Sequence, residues 1–430
     1  MPSEAALSNR SLLWLQNPVQ QADTATLPER KNVPMQYKFA ENVDALQPSA
    51  IREILKFTSM PGVISFAAGN PAPEAFPVDT IRKISAELFE KDPILALQYN
   101  ITEGYPKLRD LLKQRMAAQQ CFNADADDLI TTSGAQQANE LSCKVLLNRG
   151  DTLFCEAPSF IGSLNAFRSY GVDLVGIPME QDGMDLAAME EAVKASKSPK
   201  LVYVIPNFQN PTGLSYSQQV HDRVVEIFRG TDIVVLEDNP YRELRFSGTA
   251  TDSFGKELGE QCCMLGTFSK IVAPGMRIGW VCVRNKELRE KLLSYKATAD
   301  LHTNIFSQLV LAQYLADNDI DAHIEKTKVL YKHKAELMMD CMRKYLPEGV
   351  EFTPTEGGMF LWAKLPNGMS AVDLYRVALT KGVAICPGDP FYEKARNVST
   401  FRINYSNSSD EVIEKGIRLL GEACEELLAK

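Results

Sequence analysis

Leu201-Val202-Tyr203-Val204-Ile205, Ile233-Val234-Val235-Leu236-Glu237-Asp238-Asn239-Pro240-Tyr241 and Cys262-Cys263-Met264-Leu265-Gly266-Thr267-Phe268-Ser269-Lys270 are short apolar runs that break into polar residues. Runs of the same kind recur at 128–132, 152–155, 174–177 and 278–283, separated by longer helical stretches. Strands alternating with helices predict a mainly parallel sheet covered by helices, and seven strands fit one large α/β domain.

Further along the chain, Ile320, Ile324, Tyr331, Leu337, Met338 and Met342 recur at helical spacing and predict one long amphipathic helix that ends before Pro347 and bridges two domains. Beyond it, strands at 360–363, 384–386 and 401–405 alternate with helices at 371–380 and 410–428, which predicts a smaller α/β domain. Residues 1–34 are polar and Pro-punctuated with one apolar patch, Leu12-Leu13-Trp14-Leu15, and are expected to form a loosely held arm or extension.

The charge balance of 46 Lys+Arg against 55 Asp+Glu, net −9 over 430 residues, excludes a polyanion as the main partner, so neither nucleic acid nor an anionic membrane surface is expected. No apolar run approaches membrane-spanning length, and the first 30 residues lack a secretory pattern. Nine cysteines without a C-x-x-C suit a reducing cytoplasm, and four histidines without H-E-x-x-H give no zinc site.

Chemistry concentrates where the strands end. A lysine closing an apolar strand, as Lys270 does, is partly desolvated; this lowers its amine pKa toward the range in which it forms a Schiff base. The hydroxyls of Thr267 and Ser269, with Arg277 seven residues beyond the lysine, suit a phosphate. Thr132-Ser133-Gly134-Ala135-Gln136-Gln137 lies between a strand and a helix, where free N–H groups and the helix dipole favour an anion. Asn210-Pro211-Thr212-Gly213 follows another strand, and Asp238 and Tyr241 stand three residues apart after a third. Taken singly, each of these also fits an ordinary turn or strand end.

The order Asn-Pro-x-Gly, Asp-x-x-Tyr, Ser-x-Lys, Arg resembles the fold-type I aminotransferases that use pyridoxal 5′-phosphate, from about Met35 to the C-terminus. The resemblance is closest to the branch of 2-aminoadipate and kynurenine aminotransferases and to the catalytic halves of MocR-type regulators. It implies that Lys270 carries the cofactor as a Schiff base and moves the proton at the substrate Cα, while Asp238 keeps the pyridine nitrogen protonated. Asn210 and Tyr241 would hydrogen-bond the phenolic oxygen, and Phe160, often Tyr in relatives, would stack on the ring. Thr267, Ser269, Arg277, Ala135 and Gln136 would hold the phosphate, with Ala135 standing where many relatives carry a hydroxyl.

By the same resemblance Arg402 grips the substrate α-carboxylate, Asn210 contributes to substrate binding, and Gly69 lines the entrance. Tyr99 reaches the phosphate of a neighbouring subunit, which implies a homodimer. The implied division is an extension at 1–34, an N-terminal segment at 35–86 belonging to the small domain, a large cofactor domain at 87–318 and a small C-terminal domain at 319–430. The implied reaction is transfer of an amino group from an L-amino acid of 2-aminoadipate, aromatic or branched-chain type to a 2-oxo acid. A lyase or decarboxylase with the same cofactor is the alternative, because the motifs do not determine which Cα bond breaks. A MocR-like regulator is a further one, although residues 1–34 are too short for its DNA-binding domain. Residues 42–57 and 69–76 are the segments expected to adapt to the substrate side chain.

Overall fold

The computed structural model describes residues 35–40, 62–119, 125, 128–394 and 396–429, and the chain divides into units over 1–40 and 41–430. In the first unit, residues 35–40 are exposed and carry neither helix nor strand, with the rings of Tyr37 and Phe39 stacked at 6.3 Å. The expected arm over 1–34 and the adaptable segment at 42–57 lie outside the described residues.

In the second unit all seven expected strands form, joined by an eighth. The sheet runs in the order Leu129–Thr132, Gly279–Val283, Cys262–Thr267, Val234–Asp238, Pro199–Val204, Thr152–Ala157, Asp173–Glu180, Gly183–Met184. The eighth strand is a two-residue hairpin return, too short to show a period in sequence. The five strands from Cys262–Thr267 to Asp173–Glu180 pair in parallel, and Gly279–Val283 runs antiparallel to both its neighbours.

Successive side chains of a strand point to opposite faces, and both faces here are apolar. Leu153, Cys155, Leu201, Tyr203, Leu236, Cys263 and Leu265 enter one buried cluster, whereas Phe154, Val202, Val204, Val235 and Cys262 enter another. The second cluster is closed by the helix Gln218–Phe228, which buries Val220, Val224, Val225 and Phe228 and begins where the Ser217 hydroxyl accepts from the Val220 N–H. The strands therefore read as continuous apolar runs because helices cover both sides.

The long helix spans Ile320–Tyr345, opened by Asp319 accepting from the Ala322 N–H at 2.9 Å. Its buried face holds Ile320, Ile324, Tyr331, Ala335, Met338 and Met342, and Leu337 is only partly buried. A second sheet is antiparallel throughout, in the order Glu351–Phe352, Phe360–Lys364, Thr400–Asn404, Cys386–Pro387. The single strand expected at 384–386 is two: Cys386–Pro387 joins this sheet, and Val383–Ala384 pairs in parallel with Ile64–Ser65. The helices Ala371–Thr380 and Asp410–Leu428 form where expected.

One close approach governs the strand that leads to Lys270. Gly266 lies opposite Trp280 across the antiparallel pair, and a Cβ at Gly266 would fall 2.1 Å from the indole. Gly266→Ala should therefore displace Trp280 and cost about 1–3 kcal/mol of stability, read as a lower midpoint in denaturant unfolding. An unchanged midpoint would show that the indole can move aside freely.

Candidate active site

Leu129–Thr132 runs in the direction of the five parallel strands, so all six leave the sheet at one edge, and the antiparallel strand Gly279–Val283 begins there. Ligands of open α/β sheets bind at this carboxyl edge. A cavity of about 320 Å³ lies there, lined by Gly69, Ala135, Gln136, Phe160, Asn210, Asp238, Tyr241, Thr267, Ser269, Lys270, Arg277 and Arg402. Every expected site residue but one is thus brought together. The exception is Tyr99, which is 76% exposed and meets the edge of the His302 ring at 5.8 Å. A larger groove of about 810 Å³ beside Lys144 and Tyr295 gathers no comparable set of groups.

Lys270 follows the strand Cys262–Thr267 and donates from Nζ to the Gly69 carbonyl at 3.0 Å. Loss of hydration, helped by the positive charges of Arg402 and Arg277, lowers its pKa to about 8. Asp238 ends the neighbouring strand and is buried. Its Oδ2 accepts from the Tyr203 hydroxyl at 2.7 Å and from Asn139 Nδ2 at 3.2 Å, whereas its buried Oδ1 has no partner among the described residues. Burial raises the Asp238 pKa to about 6, and the two donors act in the opposite sense.

Tyr203, Asn139 and Ser163 form a small network behind Asp238, with Ser163 donating to the Tyr203 oxygen at 2.9 Å and accepting from Asn139 at 3.2 Å. Sequence reasoning missed these three. Tyr203 sits inside an apolar strand, where it reads as core, and Asn139 and Ser163 sit within helices. The available signal was the cost of burying a hydroxyl or an amide without a partner.

Asn210 is presented by a loop that Gln209 holds in place. Gln209 Nε2 donates to Glu156 Oε2 at 2.9 Å and to the Pro158 carbonyl at 2.7 Å, and Gln209 Oε1 accepts from the Thr212 N–H and hydroxyl. Asn210 Oδ1 accepts from Arg402 Nη1 at 2.6 Å, and its Nδ2 is 3.5 Å from the Tyr241 hydroxyl. Arg402 is buried between Phe360 and Phe391, its guanidinium carbon 4.2 and 5.0 Å from the ring centroids, and Nη2 donates to the Ala67 carbonyl. The rings provide a cation–π setting for a guanidinium removed from water.

Anion donors collect at the other end of the cavity. The helix Ala135–Leu146 starts there, and the first N–H groups that every helix leaves without intrahelical partners meet no capping side chain among the described residues. The Thr267 hydroxyl is hydrogen-bonded to the Ser269 hydroxyl and to the Ile278 carbonyl, and Arg277 Nη2 donates to the Ser133 carbonyl at 2.8 Å. Gly134 has φ +80°, and a Cβ there would fall 2.5 Å from Arg277 Nη2, so only glycine lets the guanidinium lie over this turn.

The family described as aminotransferase class I and II matches residues 61–420. The chain is 39% identical over 402 residues to aromatic-amino-acid aminotransferase 1 of Thermococcus litoralis, covering 91% of this chain and 95% of that protein. It is 36% identical over 395 residues to 2-aminoadipate transaminase of Thermus thermophilus, covering 91% and 97%. Among solved structures, the alpha-aminoadipate aminotransferase of Thermus thermophilus, in complex with N-(5′-phosphopyridoxyl)-L-leucine, matches with a TM-score of 0.85 at 35% identity, covering 91% of this chain and 98% of that one. With the ordered motifs meeting in one cavity at the edge of an α/β sheet, the chain belongs to the class I and II aminotransferases, fold-type I enzymes dependent on pyridoxal 5′-phosphate, in the branch of 2-aminoadipate and kynurenine aminotransferases.

Proposed function

We propose that this protein transfers the amino group of an L-amino acid of aromatic, 2-aminoadipate or branched-chain type to a 2-oxo acid such as 2-oxoglutarate. The observation that carries the reading is the convergence of Lys270, Asp238 and Arg402 on one cavity, each suited to a different task. The residues also fit pyridoxal 5′-phosphate, because Asp238 Oδ1, buried and without a partner among the described residues, suits a protonated pyridine nitrogen. Thr267, Ser269, Arg277 and the N–H groups of Ala135 and Gln136 would hold the phosphate, Phe160 would lie on the ring, and Asn210 and Tyr241 would bond its phenolic oxygen. When bound, the cofactor supplies an electron sink for the pair left at the substrate Cα.

The chain's own residues do the rest. Lys270, with a pKa near 8, is substantially free amine at mildly alkaline pH and takes the Cα proton. Asp238, ionised above about pH 6, holds the ring nitrogen's proton. Arg402 offers its guanidinium to the α-carboxylate, with Asn210 beside it, and Gly69 borders the entrance. The proposed division places this cofactor site in a large domain at 87–318, with 35–86 and 319–430 as the small domain.

The working form would be a two-fold homodimer in the cytoplasm, with Tyr99 reaching the partner's phosphate site. Tyr99 is exposed outside its own chain's cavity, and Phe89, Ile94, Leu97 and Ile101 nearby in sequence expose apolar surface that suits an interface. No helix among the described residues is long and apolar enough to cross a membrane.

A panel of amino donors with 2-oxoglutarate should give glutamate and the matching 2-oxo acid. Release of ammonia or carbon dioxide without need of an oxo acid would sink the reading. Lys270→Ala should lower turnover by at least about 10³-fold. The rate at which apoprotein captures pyridoxal 5′-phosphate should rise with pH through about 8, as Lys270 loses its proton, and a flat profile between pH 6 and 9 would contradict this assignment. Tyr203→Phe removes a donor that holds the Asp238 pKa down, so the acid limb of the pH–kcat profile should move to higher pH and kcat at neutral pH should fall by about two- to tenfold.

A further inference from the structure

Behind the phosphate end of the cavity lies an ion pair that does not line it, a buried lysine with a half-buried aspartate. Lys296, on the helix Lys286–Ala299, has its side chain wholly removed from solvent. Its Nζ donates to Asp300 Oδ1 at 2.8 Å, to Asp300 Oδ2 at 2.9 Å and to the Thr303 hydroxyl at 3.0 Å, and that hydroxyl donates to the Thr131 carbonyl. Asp300 Oδ2 also accepts from Gln137 Nε2 at 2.7 Å. Gln137 Oε1 in turn accepts from the backbone N–H of Ser133 at 2.7 Å. Ser133 is therefore held on both sides, its N–H by Gln137 and its carbonyl by Arg277.

The chemistry of the amide gives this chain of contacts a direction. A glutamine side chain carries a donor at one terminal atom and an acceptor at the other. Flipping Gln137 would set its oxygen against the Asp300 carboxylate and its amino group against the Ser133 N–H, two repulsive contacts. The negative charge of Asp300 thus selects the orientation in which Gln137 accepts from Ser133. Lys296 pairs with that carboxylate, because its own ammonium is buried and would be strongly unfavourable without a partner. With Ser133 held, the next residues, Gly134, Ala135 and Gln136, turn into the helix at the cavity wall.

We propose that Lys296, Asp300 and Gln137 are positioning residues that set the shape of the phosphate-binding turn, so that the preference for pyridoxal 5′-phosphate over its unphosphorylated form, pyridoxal, depends on this ion pair. The proposal rests on the reading that the cavity takes this cofactor. The test is equilibrium titration of full-length apoprotein, by absorbance, with pyridoxal 5′-phosphate and separately with pyridoxal. Asp300→Ala and Gln137→Leu should each raise Kd for pyridoxal 5′-phosphate by about tenfold, the effect of losing one hydrogen bond to a charged ligand, and leave Kd for pyridoxal within about twofold.

Because Asp300→Ala strands a buried ammonium, the double variant Lys296→Met/Asp300→Leu removes both charges; it should recover thermal stability yet keep the weakened phosphate preference. Unchanged Kd for pyridoxal 5′-phosphate in Gln137→Leu and the double variant, or an equal loss for both ligands in them, overturns the proposal. Wild-type protein that binds the two ligands alike would instead remove the functional reading beneath it.

Discussion

The parallel hydrogen bonding of five neighbouring strands, from Cys262–Thr267 to Asp173–Glu180, is the constraint from which the site follows. Parallel strands need crossover helices, and those helices cover both faces of the sheet with apolar contacts. Every crossover then returns the chain to the same starting edge and releases it at the opposite one. Strand ends far apart in sequence become neighbours at that edge. Lys270, Asp238 and Asn210 meet because Cys262–Thr267, Val234–Asp238 and Pro199–Val204 lie side by side.

The electrostatics of the cavity depend on the same arrangement. Burial moves Lys270 down to about 8 and Asp238 up to about 6, so the base approaches neutrality while the acid remains ionised above mildly acidic pH. These shifts require walls, which Phe360 and Ala67, Ala68 and Gly69 help to supply, while Phe391 packs against Arg402. Arg402 reaches the cavity from the antiparallel sheet and is cross-bonded to Asn210, so two sheets share one polar network.

Much of this was legible in the sequence, for reasons visible at individual residues. The strand-forming runs stand out because burial on both faces makes them continuous, and Asp128–Thr132 and Cys262–Gly266 differ from the observed strands by no more than one residue at either end. The helix Ile320–Tyr345 is legible because one face is buried along its whole length, although Leu337 shows how side-chain spacing can overstate burial. The hairpin strand Gly183–Met184 and the split between Val383–Ala384 and Cys386–Pro387 were not legible, since two residues carry no periodicity and a change of sheet leaves no local mark.

The residue types and the order of the motifs were already written in the amino-acid sequence, because a strand end, an Asn-Pro turn and a lysine after an apolar run are local properties of the chain. What stands behind them emerged only on folding. Tyr203 and Asn139 hold one oxygen of Asp238 and leave the other without a partner among the described residues, Gln209 and Glu156 tie down the loop that presents Asn210, and Lys296 with Asp300 orients Gln137. Most of these partners are distant in sequence, and burial alone makes their hydrogen bonds obligatory, so no local pattern could mark them before the chain had folded.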